Sequence, residues 1–141
     1  MKQMKVRVLT LVMVLMTIMA SVQGMDKYWN GDPNYPLVYT HQNVYWYVDL
    51  SSAYIASKSE KVGEGYFHGE YVVKYNLITV SENEVTKVRT IPILIVHEKG
   101  GSLYYAIDEK GQKRDRLTGE GVSFYQRPYN AAIEVDNYLF K

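Results

Sequence analysis

A chain of 141 residues with 16 Lys+Arg, 15 Asp+Glu and no cysteine has room for one well-buried core. It can hold no disulfide, thiolate metal site, cysteine nucleophile or lipidated cysteine. Its charge is nearly balanced and no basic cluster stands out, so it lacks the electrostatic footprint of a nucleic-acid binder.

The first seven residues carry Lys2, Lys5 and Arg7 and no acid, and Val8 to Ala20 then runs without a charge. Val22 and Gly24 place small or short side chains at the −3 and −1 positions of a cut before Met25. Positive end, short apolar stretch and small-residue exit are the parts of a secretory signal. A bilayer-spanning helix needs roughly 20 apolar residues, more than this run supplies. Residues 1–24 are therefore read as a cleaved signal and residues 25–141 as one exported domain, periplasmic or secreted, with no membrane anchor. Removing the signal takes five of the six methionines and three cations, leaving 13 cations against 15 anions and a charge of −2.

Residues 25–42 open with turn chemistry at Asn30-Gly31-Asp32-Pro33 and Pro36 and are expected to join a sheet near Leu37–Tyr39. From Asn43 the pattern alternates strictly. Val44, Trp46, Val48 and Leu50 share one face, and Tyr45, Tyr47 and Asp49 the other, which marks a half-buried strand. A short strand at Ala53–Ala56 and a charged, glycine-bearing loop (KSEKVGEG) follow. Residues 66–80 form a long extended segment with Phe67, Gly69, Tyr71, Val73, Tyr75 and Leu77 on one face. After a turn at SENE, Val85–Glu98 is a further strand, in which Pro92 marks an edge or a bulge. Leu103–Asp108 pairs back across Gly100-Gly101, and Glu109–Gln112 turns again. Beyond Pro128, suited to a first helical position, Ala131, Ala132, Val135, Tyr138 and Leu139 recur at helical spacing. The pattern predicts an α+β domain: a small antiparallel β-sheet of four to six strands with one C-terminal helix packed on it.

Chemistry is sparse. His41, His68 and His97 sit in separate segments without metal-ligand spacing, and no nucleophile elbow or phosphate-cradling loop appears. No metal or cofactor is expected, and the domain is read as non-enzymatic. Asp49 and Glu70 could work as a carboxylate pair only if folding held them a few ångströms apart. Fourteen tyrosines are the compositional oddity. Tyrosine combines contact area with a polar tip, so Tyr45, Tyr47 and Tyr104 are predicted to form an exposed aromatic patch for a protein, a glycan or a second copy. Pairing of aromatic side chains across strands is the competing explanation.

The stretch Asn43 to Ser52 (NVYWYVDLSS), followed by Tyr54-Ile55, resembles the first strands of the bacterial surface-adhesin protein E family. Tyr129-Asn130-Ala131-Ala132, running to Tyr138 and Phe140, is similar to that family's C-terminal helix. The resemblance implies a small antiparallel sheet with a C-terminal helix and a place at the cell envelope. The family's best-known adhesin is dimeric, lipid-anchored and binds host matrix proteins. This chain departs from it in having no lipidation cysteine, no disulfide and no lysine-rich stretch. The expected function is an exported envelope or surface binding module, with homodimerisation in prospect. A structural or stress-related envelope protein, or a small envelope-polymer hydrolase using Asp49, Glu70 or a histidine, are the alternatives.

Overall fold

A computed structural model describes residues 27–120 and 123–141, so the signal assigned to residues 1–24 lies outside the described residues. Six strands follow one another: β1 (Leu37–His41), β2 (Val44–Gly63), β3 (Tyr66–Ser81), β4 (Glu84–Glu98), β5 (Gly101–Ile107) and β6 (Lys113–Leu117). The helix α1 (Ser123–Phe140) completes the chain. The strands pair antiparallel in chain order, a simple meander. The sheet curls into a half-barrel with α1 as the one α-helix among the described residues, as the alternating and helical patterns predict.

Two hairpins close through two-residue turns with both residues at positive φ, Gln42-Asn43 (48° and 64°) and Glu82-Asn83 (52° and 66°). These turns match the twist of the flanking strands, and asparagine tolerates the left-handed region better than most residues.

Strand alternation divides the apolar residues between two faces. The inner face gathers Val48, Leu50, Tyr71, Val73, Tyr75, Leu77, Ile93, Ile95, Tyr104 and Leu117 against Ala131, Ala132 and Val135 of α1. The two alanines bring the helix close to the sheet, and Asn130 fixes its early turns by donating from Nδ2 to the Val38 carbonyl at 2.9 Å. On the outer face a second cluster of Tyr47, Ile78 and Val80 is covered by Trp29, Tyr35 and Leu37 of the lead-in. That lead-in is tied down by Trp29 N–H to the Tyr35 carbonyl, and by Val48 and Leu50 N–H to the carbonyls of Pro36 and Asn34.

Several boundaries differ from the sequence expectation. The KSEKVGEG stretch is mostly strand: β2 runs to Gly63, and only Glu64-Gly65 turns the chain. Between Asp49 and Tyr54 β2 bulges, because Asp49 pairs with Asn76 while Tyr54 already pairs with Lys74. Ser52 repairs the ladder there, its Oγ accepting the Asn76 N–H at 2.8 Å and donating to the Asp49 carbonyl at 2.6 Å. The polar β6 (KRDRL) carries no apolar alternation to announce it. Pro128 falls inside α1 rather than at its start; it lies early enough to forfeit one internal hydrogen bond without ending the helix. Tyr138, expected on the buried stripe, is 47% exposed, and Asp136 turns inward in its stead at 1%.

Candidate functional site

Two features stand out: a polar knot under the helix and an arm of bare sheet.

The knot centres on Asp136. One turn after Ala132, it faces the β4–β5 hairpin, where strand alternation brings His97 and Tyr104 onto the inner face. Asp136 Oδ1 lies 2.8 Å from His97 Nε2, and Oδ2 accepts the Tyr104 hydroxyl at 2.7 Å. Both carboxylate oxygens are thus engaged, which meets the demand that a buried acid be fully hydrogen-bonded. Aromatic rings enclose the imidazole: Phe140 edge-on at 4.5 Å and Tyr71 at 5.1 Å. Burial, reinforced by the bond to Asp136, pushes the Tyr104 phenol well above its ordinary range. Beside the knot lies an open cleft of about 600 Å³ lined by Ser102, Tyr104, Arg116, Thr118, Glu120 and Tyr129 among others.

A carboxylate–imidazole pair can orient a general base. Here, however, the carboxylate spends its second oxygen on a buried tyrosine, and aromatic rings flank the histidine. The arrangement serves best as a polar lock between helix and sheet. Asp136 was the residue sequence reasoning missed. Its signal was a single acid between Val135 and Leu139, at a position that helical spacing also places near the core.

The arm is the distal half of β2 with the start of β3. Its far side is bare because β1 pairs only with residues 44–47 of β2, and the lead-in reaches only to Leu50. From Tyr54 to Gly63, β2 pairs with β3 alone among the described residues. Large apolar side chains are exposed along it: Tyr54 (51%), Ile55 (39%), Val62 (77%), Tyr66 (54%) and Phe67 (36%). An unpaired strand edge offers a row of backbone donors and acceptors to another chain.

The predicted residues fall differently. Tyr45 and Tyr47 do lie on the outer face, but Tyr47 is fully buried beneath the lead-in, with the Trp29 ring centroid 5.8 Å away. Tyr104 is on the opposite face, inside the core at 8% exposure. The three tyrosines therefore do not make one exposed patch. The segment from Trp29 to Leu37, which opens with turn chemistry, covers that part of the sheet instead.

Asp49 and Glu70 share the outer face, yet Asp49 pairs with Asn76, six residues along β3 from Glu70. That places them about 20 Å apart at ~3.3 Å per residue. Asp49 instead borders an open depression of about 350 Å³ with Trp29, Asn30, Asp32 and Tyr35.

The histidines also stay apart. His41 ends β1 and His97 is in the knot. His68 lies on the outer face between Glu98 (3.1 Å) and Glu70 (3.5 Å). Among the described residues no group of three or more His, Asp and Glu side chains could hold a metal ion.

Comparison with protein-family models, curated proteins and solved structures returns no match.

Proposed function

We propose that this chain is an exported, non-enzymatic binding module of the cell envelope, of the adhesin-E-like type, and that the β2–β3 arm is its contact surface. The observation carrying this reading is the bare edge from Tyr54 to Gly63 beside exposed Val62, Tyr66 and Phe67. Sheets that do not bind through an edge usually cover it, shorten it or interrupt it with proline. Among the described residues no segment covers this strand and no proline interrupts it over ten residues; Lys58, Glu60, Lys61 and a bulge between Ile55 and Ser57 are the features that mark its edge. The signal-like residues 1–24 and the resemblance at residues 43–55 and 129–140 support export and an envelope setting.

The reading is tested by co-sedimenting the chain from Met25 onward with bacterial envelope fractions, alongside a Val62→Ser/Phe67→Ser variant. Both positions are exposed, so the variant keeps its fold by circular dichroism. Retention of the parent chain and loss of the variant is the expected result. Equal retention of the two would remove the arm from the account.

A further inference from the structure

We infer that the arm meets a phospholipid surface: the apolar tip of the β2–β3 hairpin dips into the bilayer interface, while Lys58, Lys61 and the bare β2 edge contact headgroup phosphates. This rests on the arm being the contact surface and names its partner.

The tip is apolar on both of its faces. Directly opposed residues of an antiparallel pair share a face, and here Val62 pairs with Phe67 and Gly63 with Tyr66. Val62 and Phe67 thus project to the inner side and Tyr66 to the outer, and all three are exposed. A partner resting on one face of the sheet would leave the other side of the tip in water, whereas immersion in an interface covers both. No third strand flanks the tip among the described residues, because the β3–β4 ladder begins only at His68 and Glu98. The Gly63–Tyr66 rung stands about 7 Å beyond the Lys61–His68 rung at ~3.3 Å per residue. That reach is comparable to the roughly 5–10 Å to which interfacial helices sink at the headgroup boundary. Tyrosine rings favour that depth.

The charges around the tip complement phosphate. Glu60 Oε1 accepts the Tyr71 hydroxyl at 2.9 Å, and Glu70 and Glu98 both flank His68. Lys58, Lys61 and Lys99, the last in the β4–β5 turn that follows Glu98, form no ion pair among the described residues. The nearby acids are engaged within the chain and the cations are left for anionic headgroups. Lysine stems can lie along apolar surface while their ammonium groups rise to the phosphates. The bare edge adds backbone N–H donors. Unpaired backbone is not tolerated in hydrocarbon, so the edge stays in the headgroup layer and only the tip goes deeper. Docking is peripheral, since no helix among the described residues is long and apolar enough to cross a membrane.

An added protein strand fits this edge less well. The bulge between Ile55 and Ser57 interrupts a continuous ladder, and edge lysines discourage strand addition. Glu64, in the turn at the apex, is the residue that opposes insertion, so removing its charge should strengthen docking.

The test sediments the chain from Met25 with vesicles of phosphatidylcholine, alone or with one-third phosphatidylglycerol. The parent should sediment with the anionic vesicles and less with the neutral ones. Lys58→Glu/Lys61→Glu should weaken anionic binding about tenfold or more. Val62→Ser/Phe67→Ser should abolish it, and Glu64→Gln should strengthen it. Val85→Ser/Val88→Ser, at exposed positions toward the other end of β4, should bind like the parent. The absence of cysteine lets a polarity-sensitive dye report position. On Val62→Cys it should brighten with vesicles, and on Lys110→Cys, in the β5–β6 turn, it should not. A parent that sediments with neither vesicle, a Val62→Ser/Phe67→Ser variant that binds like it, or equal dye responses would overturn lipid docking. If the parent ignores vesicles but the Val62→Ser/Phe67→Ser variant still loses envelope retention, lipid docking alone has failed and the arm binds an envelope protein. Equal envelope retention of parent and variant removes the arm itself.

Discussion

Tyr104 on β5 donates its hydroxyl to Asp136 on α1 at 2.7 Å, joining the sheet to a helix whose fully buried apolar residues are Ala131, Ala132 and Val135. His97 takes the other carboxylate oxygen. Asp136→Ala leaves both groups without their acceptor at a position where Asp136 itself is only 1% exposed. It should cost about 3 kcal/mol, whereas Asp136→Asn, which keeps one acceptor oxygen, should cost less. Urea unfolding of the two variants checks the order. Paired with Tyr104→Phe, Asp136→Ala should be less than additive, because both changes remove one bond.

Gly69 is needed for a reason of space. A Cβ there would lie 2.6 Å from the Tyr71 hydroxyl and 2.8 Å from its ring. Tyr71 is buried and packs at 4.7 Å on Phe140, so its ring has little room to retreat. Gly69→Ala should destabilise by about 1–3 kcal/mol, as overpacking does. Adding Tyr71→Val should recover part of that loss rather than compound it. A Gly69→Ala variant melting like the parent would contradict the crowding.

Alkaline pH offers a separate check. Burial raises the phenols of Tyr75 and Tyr104, Asp136 adding to the effect at Tyr104 and Arg127 opposing it at Tyr75. A phenol that ionises higher when folded stabilises fully below its unfolded value of about 10. That contribution is lost as pH rises through the folded value. Near-ultraviolet titration should show these tyrosines ionising only with a cooperative loss of structure. All fourteen tyrosines titrating together near their ordinary value would contradict their burial.

Acid tests the β5–β6 turn. Asp108 accepts the backbone N–H groups of Gln112 and Lys110 and pairs with Arg114 at 2.9 Å. The bond from Gln112 leads the causes that hold its carboxyl below the ordinary carboxylate value. Its contribution is present above the unfolded carboxylate value of about 3.9 and fades as pH falls through the lower folded one. Amide exchange at Lys110 and Gln112 should therefore accelerate only below that range in the parent chain. In Asp108→Ala, which removes the Oδ1 that accepts both N–H groups, it should already be fast at neutral pH.

Much of the fold could be read from the sequence. Trp46, Val48 and Leu50 alternate with Tyr45, Tyr47 and Asp49 because the faces of β2 differ, and the helical spacing of Ala131, Ala132 and Val135 marks the surface that meets the sheet. The arm was less legible. Lys58, Ser59, Glu60 and Lys61 have the composition of a loop, yet the ladder to β3 uses backbone groups that every such residue carries. An exposed strand imposes no apolar alternation.

The burial of Tyr47 was hidden for a different reason. What covers it is the lead-in, a contact between segments some twenty residues apart that no local period records. Asp136 was legible only as an anomaly. Its partners His97 and Tyr104 lie 39 and 32 residues away in the chain.

The central claim, that the arm is the contact surface, is tested most directly by differential amide exchange. The chain from Met25 would be followed alone and with a bacterial envelope fraction. The account predicts new protection centred on residues 54–63 when the envelope fraction is added, with the β5–β6 cleft and outer-face depression unchanged. Protection confined to the cleft or depression, or none at residues 54–63, would contradict it.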